Sequence, residues 1–170
     1  MKPMTFTFIW TILLLLNSGC KKENIKPDLN FTDQSYGCQS FTVYKINKDG
    51  DAVIAVIGSR DNLKLSKTEQ SFNLSNDLKV EVKRFKGDAK KYYCNDVPSE
   101  AGDIISTWTG YQGTVKIKIV QDSIATNPQG KPEYKINVTI DNIELKNSND
   151  KKISVDHLEF KEVYVGWLPG

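Results

Sequence analysis

Apolar and polar residues alternate along most of the chain with a period of two, the spacing that sets one face of a β-strand on a core and the other in water. The clearest run is Thr114 to Val120, where Val115, Ile117 and Ile119 oppose Lys116 and Lys118. Leu78 to Phe85 repeats the pattern, with Leu78, Val80 and Val82 inward and Lys79, Glu81 and Lys83 outward. In Tyr134 to Ile140 the residues Tyr134, Ile136, Val138 and Ile140 share a face. Phe41, Val43 and Lys45 point one way and Thr42, Tyr44 and Ile46 the other. The turn residues Asn47-Lys48-Asp49-Gly50 then lead into Asp51 to Ile57, whose continuous apolar run suits a strand covered on both faces. Those two strands read as a hairpin.

Shorter candidates are Ser71 to Leu74, Ile104 to Trp108 and an edge run at Ile143 to Leu145, and the last strand is Leu158 to Val165. The only helical candidate is a turn near Ser99-Glu100-Ala101. Seven to nine strands without crossover helices predict an all-β fold, an antiparallel β-sandwich or barrel. The halves 41–85 and 104–165 could each supply one sheet of a sandwich.

At 170 residues there is room for one domain of ordinary size, and 39% hydrophobic residues suffice for its core. The 23 basic and 21 acidic residues nearly balance, which argues against a nucleic-acid partner. One histidine and three cysteines exclude the usual structural zinc sites, and no cofactor or metal is expected.

The N-terminus differs from everything after it. Lys2 is a short positive region, Phe6 to Leu16 is an apolar stretch of 11 residues, and Asn17-Ser18-Gly19 leads to Cys20. About 20 apolar residues are needed to span a bilayer, so this segment reads as a cleaved signal peptide over 1–19. The Ser18-Gly19-Cys20 junction resembles a bacterial lipobox, with Asn17 where an aliphatic residue is usual and Leu16 one place further out. The resemblance implies that Cys20 is lipidated; two acyl chains, usually joined by a third on the amine, anchor a protein stably without a transmembrane helix. Residues 20–36 are polar with one proline, and read as the lipidated cysteine and a flexible tether ahead of a β-domain over 37–170.

Signal, tether and β-rich body together look like the small outer-membrane lipoproteins of Bacteroidota-type bacteria. Lys21 directly after the cysteine implies, by the same resemblance, the outer membrane, on either its periplasmic or its cell-surface face. With Cys20 acylated, Cys38 and Cys94 are the remaining cysteines in an oxidising compartment, and a structural disulfide between them is expected.

Candidate chemistry concentrates in Lys90 to Gly113. Tyr92, Tyr93, Trp108 and Tyr111 offer aromatic faces, and Asn95, Asp96 and Gln112 offer hydrogen-bonding groups, a combination suited to a glycan or protein ligand. The alternative places Trp108 in the core and the tyrosines beside the sheet. Asp96, Glu100 and Asp103 could supply paired carboxylates to a small hydrolase, although loop acids look the same in sequence.

Asp156 beside His157 could orient an imidazole, but no nucleophile motif accompanies it. Asn47 to Asp51 has the oxygen density of a calcium loop, yet Lys45 stands where an acid is needed and the late Glu is missing, so a hairpin turn is favoured. Asp122-Ser123-Ile124 resembles the O-glycosylation acceptor of exported proteins in the same bacteria, which would make Ser123 the modified residue. The expectation is a non-enzymatic, membrane-tethered binding module. Its rivals are an accessory subunit docking through a sheet edge and a carboxylate-dependent hydrolase.

Overall fold

The structure is a computed structural model that describes residues 26–91, 103–121 and 133–166. Its strands are β1 (Tyr36–Cys38), β2 (Thr42–Ile46), β3 (Ala52–Gly58), β4 (Gln70–Asn73), β5 (Leu78–Phe85), β6 (Ile104–Gln121), β7 (Tyr134–Lys146) and β8 (Lys152–Val165). A single helical turn, α1 (Arg60–Leu63), follows β3, and a short 3-10 turn at Ala89–Lys91 follows β5. None of the described helices is long and apolar enough to cross a membrane.

All eight strands belong to one antiparallel sheet, in the order β1-β2-β3-β5-β6-β7-β8, with β4 also pairing β6. The sheet curls into a half-barrel. This corrects the sandwich: the halves 41–85 and 104–165 are continuous, because β5 pairs directly with β6 from Glu81 opposite Thr109 to Phe85 opposite Ile104. The inner face carries the main core, including Phe41, Val43, Ile54, Val80, Val82, Trp108, Val115, Ile117, Ile136, Val138, Ile140 and Phe160. Each apolar side chain of this size withdrawn from water favours folding by about 1.5 to 3 kcal/mol.

A second apolar cluster lies on the opposite face, where Tyr44, Ile46, Val53, Ala55 and Phe85 meet Ala89. Tyr36 packs against it with its ring 5.1 Å from that of Tyr44. This is why Ala52 to Val56 is buried at every position, as the continuous apolar run implied.

The Asn47 to Asp51 segment is a hairpin turn. Buried Asn47 accepts the Ala52 amide at its side-chain oxygen (2.8 Å) and donates its side-chain amide to Asp51 (2.9 Å), while Gly50 takes the positive φ of 78°. Asp51 in turn binds Arg84 at 2.7 Å. Its carboxylate is thereby committed to the fold, and no cluster of metal-ligating side chains occurs among the described residues.

Two pairs of expected strands are continuous. Ile104 to Trp108 and Thr114 to Val120 form the 18-residue β6, with shifts in its pairing to β7 around Gln112. Tyr134 to Ile140 and Ile143 to Leu145 form β7, which lies between β6 and β8 and is therefore not an edge. Gly113 (φ 123°) and Asn142 (φ 52°) form the bend; a Cβ at Gly113 would lie 2.6 Å from the Asn142 carbonyl. Across Asn142 the buried positions change phase, from Ile136, Val138 and Ile140 to Ile143 and Leu145. β8 begins at Lys152, six residues before the expected start.

The bend carries the C-terminal half of β8 round to β1. A Cβ at Gly37 would sit 2.2 Å from the Tyr164 carbonyl, and the Gly166 amide donates to the Gln39 carbonyl at 2.8 Å. The stretch 26–35, read from composition as tether, also runs against the body. Leu29 and Phe31 pack on the core, Thr32 donates to the Ile46 carbonyl at 2.9 Å, and Lys48 donates to the Asn30 carbonyl at 2.9 Å.

Candidate functional site

The segment expected to hold a ligand is divided by the fold. Trp108 is completely buried in the main core, where the alternative reading placed it, and so offers no face to a ligand. The cause is phase: Trp108 stands opposite Val82 and shares its inward direction. Tyr111 and Gln112, beyond the inward Gly110 contact with Val80 and Leu74, are exposed. Tyr92, Tyr93, Cys94, Asn95, Asp96, Glu100 and Ser123 lie outside the described residues, as do Cys20, the signal segment and the turn near Ser99. Asp103 stands at the foot of β6, where its carbonyl accepts the Lys86 amide at 2.8 Å.

Register surrounds Tyr111 with polar groups. Gln112 pairs with Glu144, Glu144 with Ser154, and Lys146 with Lys152, so three strands contribute to one patch. The Tyr111 hydroxyl donates to the Glu144 carboxylate. The ammonium groups of Lys146 and Lys152 lie 5.8 and 5.2 Å from the ring centroid, within cation–π range. The interaction with Tyr111 holds Lys152 above the ordinary lysine range. Beside this ring is a cleft of about 300 Å³ lined by Glu144, Lys152, Ile153 and Ser154. The patch can accept hydroxyl donors at Glu144, donate from two lysines and present an aromatic edge. Glu144, Lys146 and Lys152 carry no motif of their own and become neighbours only through strand register.

A second cleft, of about 340 Å³, is lined by Asp33, Lys45, His157, Leu158, Glu159 and Lys161. Lys45 occupies the inward side of β2, in line with Phe41 and Val43, and is 7% exposed. Its Nζ lies 6.0 Å from the centre of the Phe160 ring. Burial lowers its proton affinity below that of an ordinary lysine; Lys161 acts in the same direction, while Asp33 and Glu159 oppose it. The sequence signal for this position was a lysine on an otherwise apolar strand face.

His157 is oriented by Asp141 across the β7–β8 ladder, not by its neighbour Asp156. Its Nδ1 lies 2.7 Å from Asp141 Oδ1, and Lys116 holds the other Asp141 oxygen at 2.8 Å. Hydrogen bonds from Lys116 and then His157 keep the Asp141 carboxyl below its usual range. His157 Nε2 faces Glu159 Oε1 at 3.9 Å, and Glu159 is itself bound by Lys161 at 2.7 Å. These contacts make a charged ladder across the sheet, with a carboxylate rather than a nucleophile beyond the imidazole. Comparison of the chain with protein-family models, curated proteins and solved structures finds no match.

Proposed function

We propose that this chain is a lipid-anchored envelope protein, held at the outer membrane through Cys20, whose β-domain is a non-catalytic binding module for a glycan. The observation that carries the binding role is the exposed Tyr111 ring, framed by Lys146 and Lys152 and hydrogen-bonded to Glu144 beside a cleft. Sugar hydroxyls find both acceptors and donors there, and acidic sugars meet two cations. The anchor rests on the signal segment and the Ser18-Gly19-Cys20 junction.

Within the same reading, Cys38 pairs with Cys94. Its support is that Cys38 is fully buried at the end of β1. The pair would close a loop of about 56 residues.

The experiment combines palmitate incorporation in cells with binding of the purified protein to acidic and neutral polysaccharides. Wild type incorporates palmitate and Cys20→Ser does not; wild type binds an acidic polysaccharide, and Tyr111→Ala binds it about tenfold more weakly. The Tyr111→Ala protein keeps its melting temperature within about 2 °C, because the ring is outside the core. Label on the Cys20→Ser protein overturns the anchor. Absence of glycan binding, or equal binding by Tyr111→Ala, overturns the glycan reading and turns attention to a protein partner docking at a sheet edge.

A further inference from the structure

We infer that the cleft between β2 and the middle of β8 binds a small hydroxycarboxylate, with the ligand's carboxylate seated on the Lys45 ammonium. The inference is independent of the Tyr111 patch, which uses different residues.

Lys45 is buried to 93% of its surface, yet no carboxylate lies within ion-pair distance of its ammonium among the described residues. Its Nζ faces the Phe160 ring, a weak partner compared with an anion. The Lys45 ammonium opens into the cleft with Asp33 and Glu159 near it but outside ion-pair distance, and a ligand anion placed directly against it supplies a close partner. The other cations nearby are already engaged: Lys161 holds Glu159 at 2.7 Å, and Lys116 holds Asp141 at 2.8 Å. Lys45 is thus the lysine of this cleft without an ion pair among the described residues.

The remaining lining selects among anions. Asp33 and Glu159 are hydrogen-bond acceptors when ionised, so they welcome hydroxyl groups and repel a second or third negative charge. This disfavours phosphate and favours one carboxylate carried on a hydroxylated frame. Leu158 supplies an apolar wall, and about 340 Å³ is room for a single sugar-acid ring. The position of Asp33 connects the site to the N-terminal segment, because the neighbouring Thr32 is fastened to Ile46 and Phe31 bridges Asn47.

Isothermal titration of the protein with glucuronate, glucose and inorganic phosphate tests the proposal. Glucuronate binds, glucose and phosphate bind at least about tenfold more weakly, and Lys45→Met weakens glucuronate binding by about tenfold or more. The binding lost in Lys45→Met is unchanged in Tyr111→Ala; glucuronate binding that Lys45→Met retains and Tyr111→Ala loses belongs to the glycan patch and overturns the proposal. Lys45→Met keeps the stem in place and removes an unpaired buried charge, a change that is often neutral or stabilising.

A readout on the unaltered protein guards against a variant that does not fold. Glucuronate slows acetylation of Lys45 by acetic anhydride, followed by peptide mass, while the exposed Lys79 and Lys118 react at unchanged rates. Equal affinity for glucose or phosphate, unchanged affinity in Lys45→Met, or acetylation of Lys45 that ignores glucuronate each overturns the proposal.

Discussion

Asp51 has its fate decided by two neighbours, one in its own turn and one on a distant strand. It follows a turn rich in oxygen, but Arg84 takes one carboxylate oxygen at 2.7 Å and Asn47 the other at 2.9 Å. Burial works against its charge, and the hydrogen bonds from Arg84 and Asn47 outweigh it, leaving the carboxyl below its usual range. Because the folded pKa is the lower one, this pairing stabilises the protein above the unfolded pKa of about 4 and is lost as pH falls through the folded value.

Arg84→Met therefore loses less stability than wild type between about pH 5 and pH 3, with a difference under about 1 kcal/mol because both side chains are partly exposed. Urea unfolding across that range measures it. Parallel pH curves for the two proteins would show that Arg84 does not hold the carboxylate. Residue identity was legible here, but the partner 33 positions away was not. Lys45 is the converse: that it shares a face with Phe41 and Val43 followed from the alternation, while its burial and its neighbours Asp33, Glu159 and Lys161 needed the surrounding strands.

At the scale of elements, strand existence followed closely from period-two patterning, and strand length did not. Glycine and asparagine between two alternating runs look like turn residues, so Gly110 to Gly113 and Asp141-Asn142 suggested breaks. In the fold they are bends within paired strands, since neighbouring ladders hold the backbone through the shift. Gly113 combines a φ of 123° with an approach that leaves a Cβ only 2.6 Å from the Asn142 carbonyl and from the Ile143 side chain. Gly113→Ala must move β7 or unbend β6, and its expected cost is about 2 to 4 kcal/mol. Thermal or urea unfolding reads this directly; a loss below about 0.5 kcal/mol would mean that the bend is soft. Asn142→Gly serves as the comparison, because glycine accepts the φ of 52° and the change should cost little.

Over the whole molecule, curvature decides what becomes a site. The bend in β6 to β8 brings Gly37 against Tyr164 and Lys45 over Phe160, and it gathers Asp33 with His157 and Glu159 into one cleft. The proposed Cys38–Cys94 pair acts at this scale, because it would tie the first strand to the segment entering β6. In the chain-entropy model a loop of that size contributes on the order of 4 kcal/mol before strain is subtracted. Reduction is expected to lower the melting temperature by roughly 10 °C or more, and Cys94→Ser to do the same without reductant. Unchanged melting after complete reduction would remove the pairing.

The sequence by itself determined the strand class, the inward set of most strands and the hairpin at Asn47, because alternation and turn chemistry are local properties. It also carried the signal segment and Cys20, on which the proposed anchor rests. Only the tertiary structure decided that one sheet curls where two could have stacked, that Trp108 faces the core while Tyr111 faces out, and that Glu144, Lys146 and Lys152 meet around that ring. The physical reason is the same in each case. Facing direction is set residue by residue along a strand, but neighbours across a sheet are set by register and bend, which depend on partners far away in the chain.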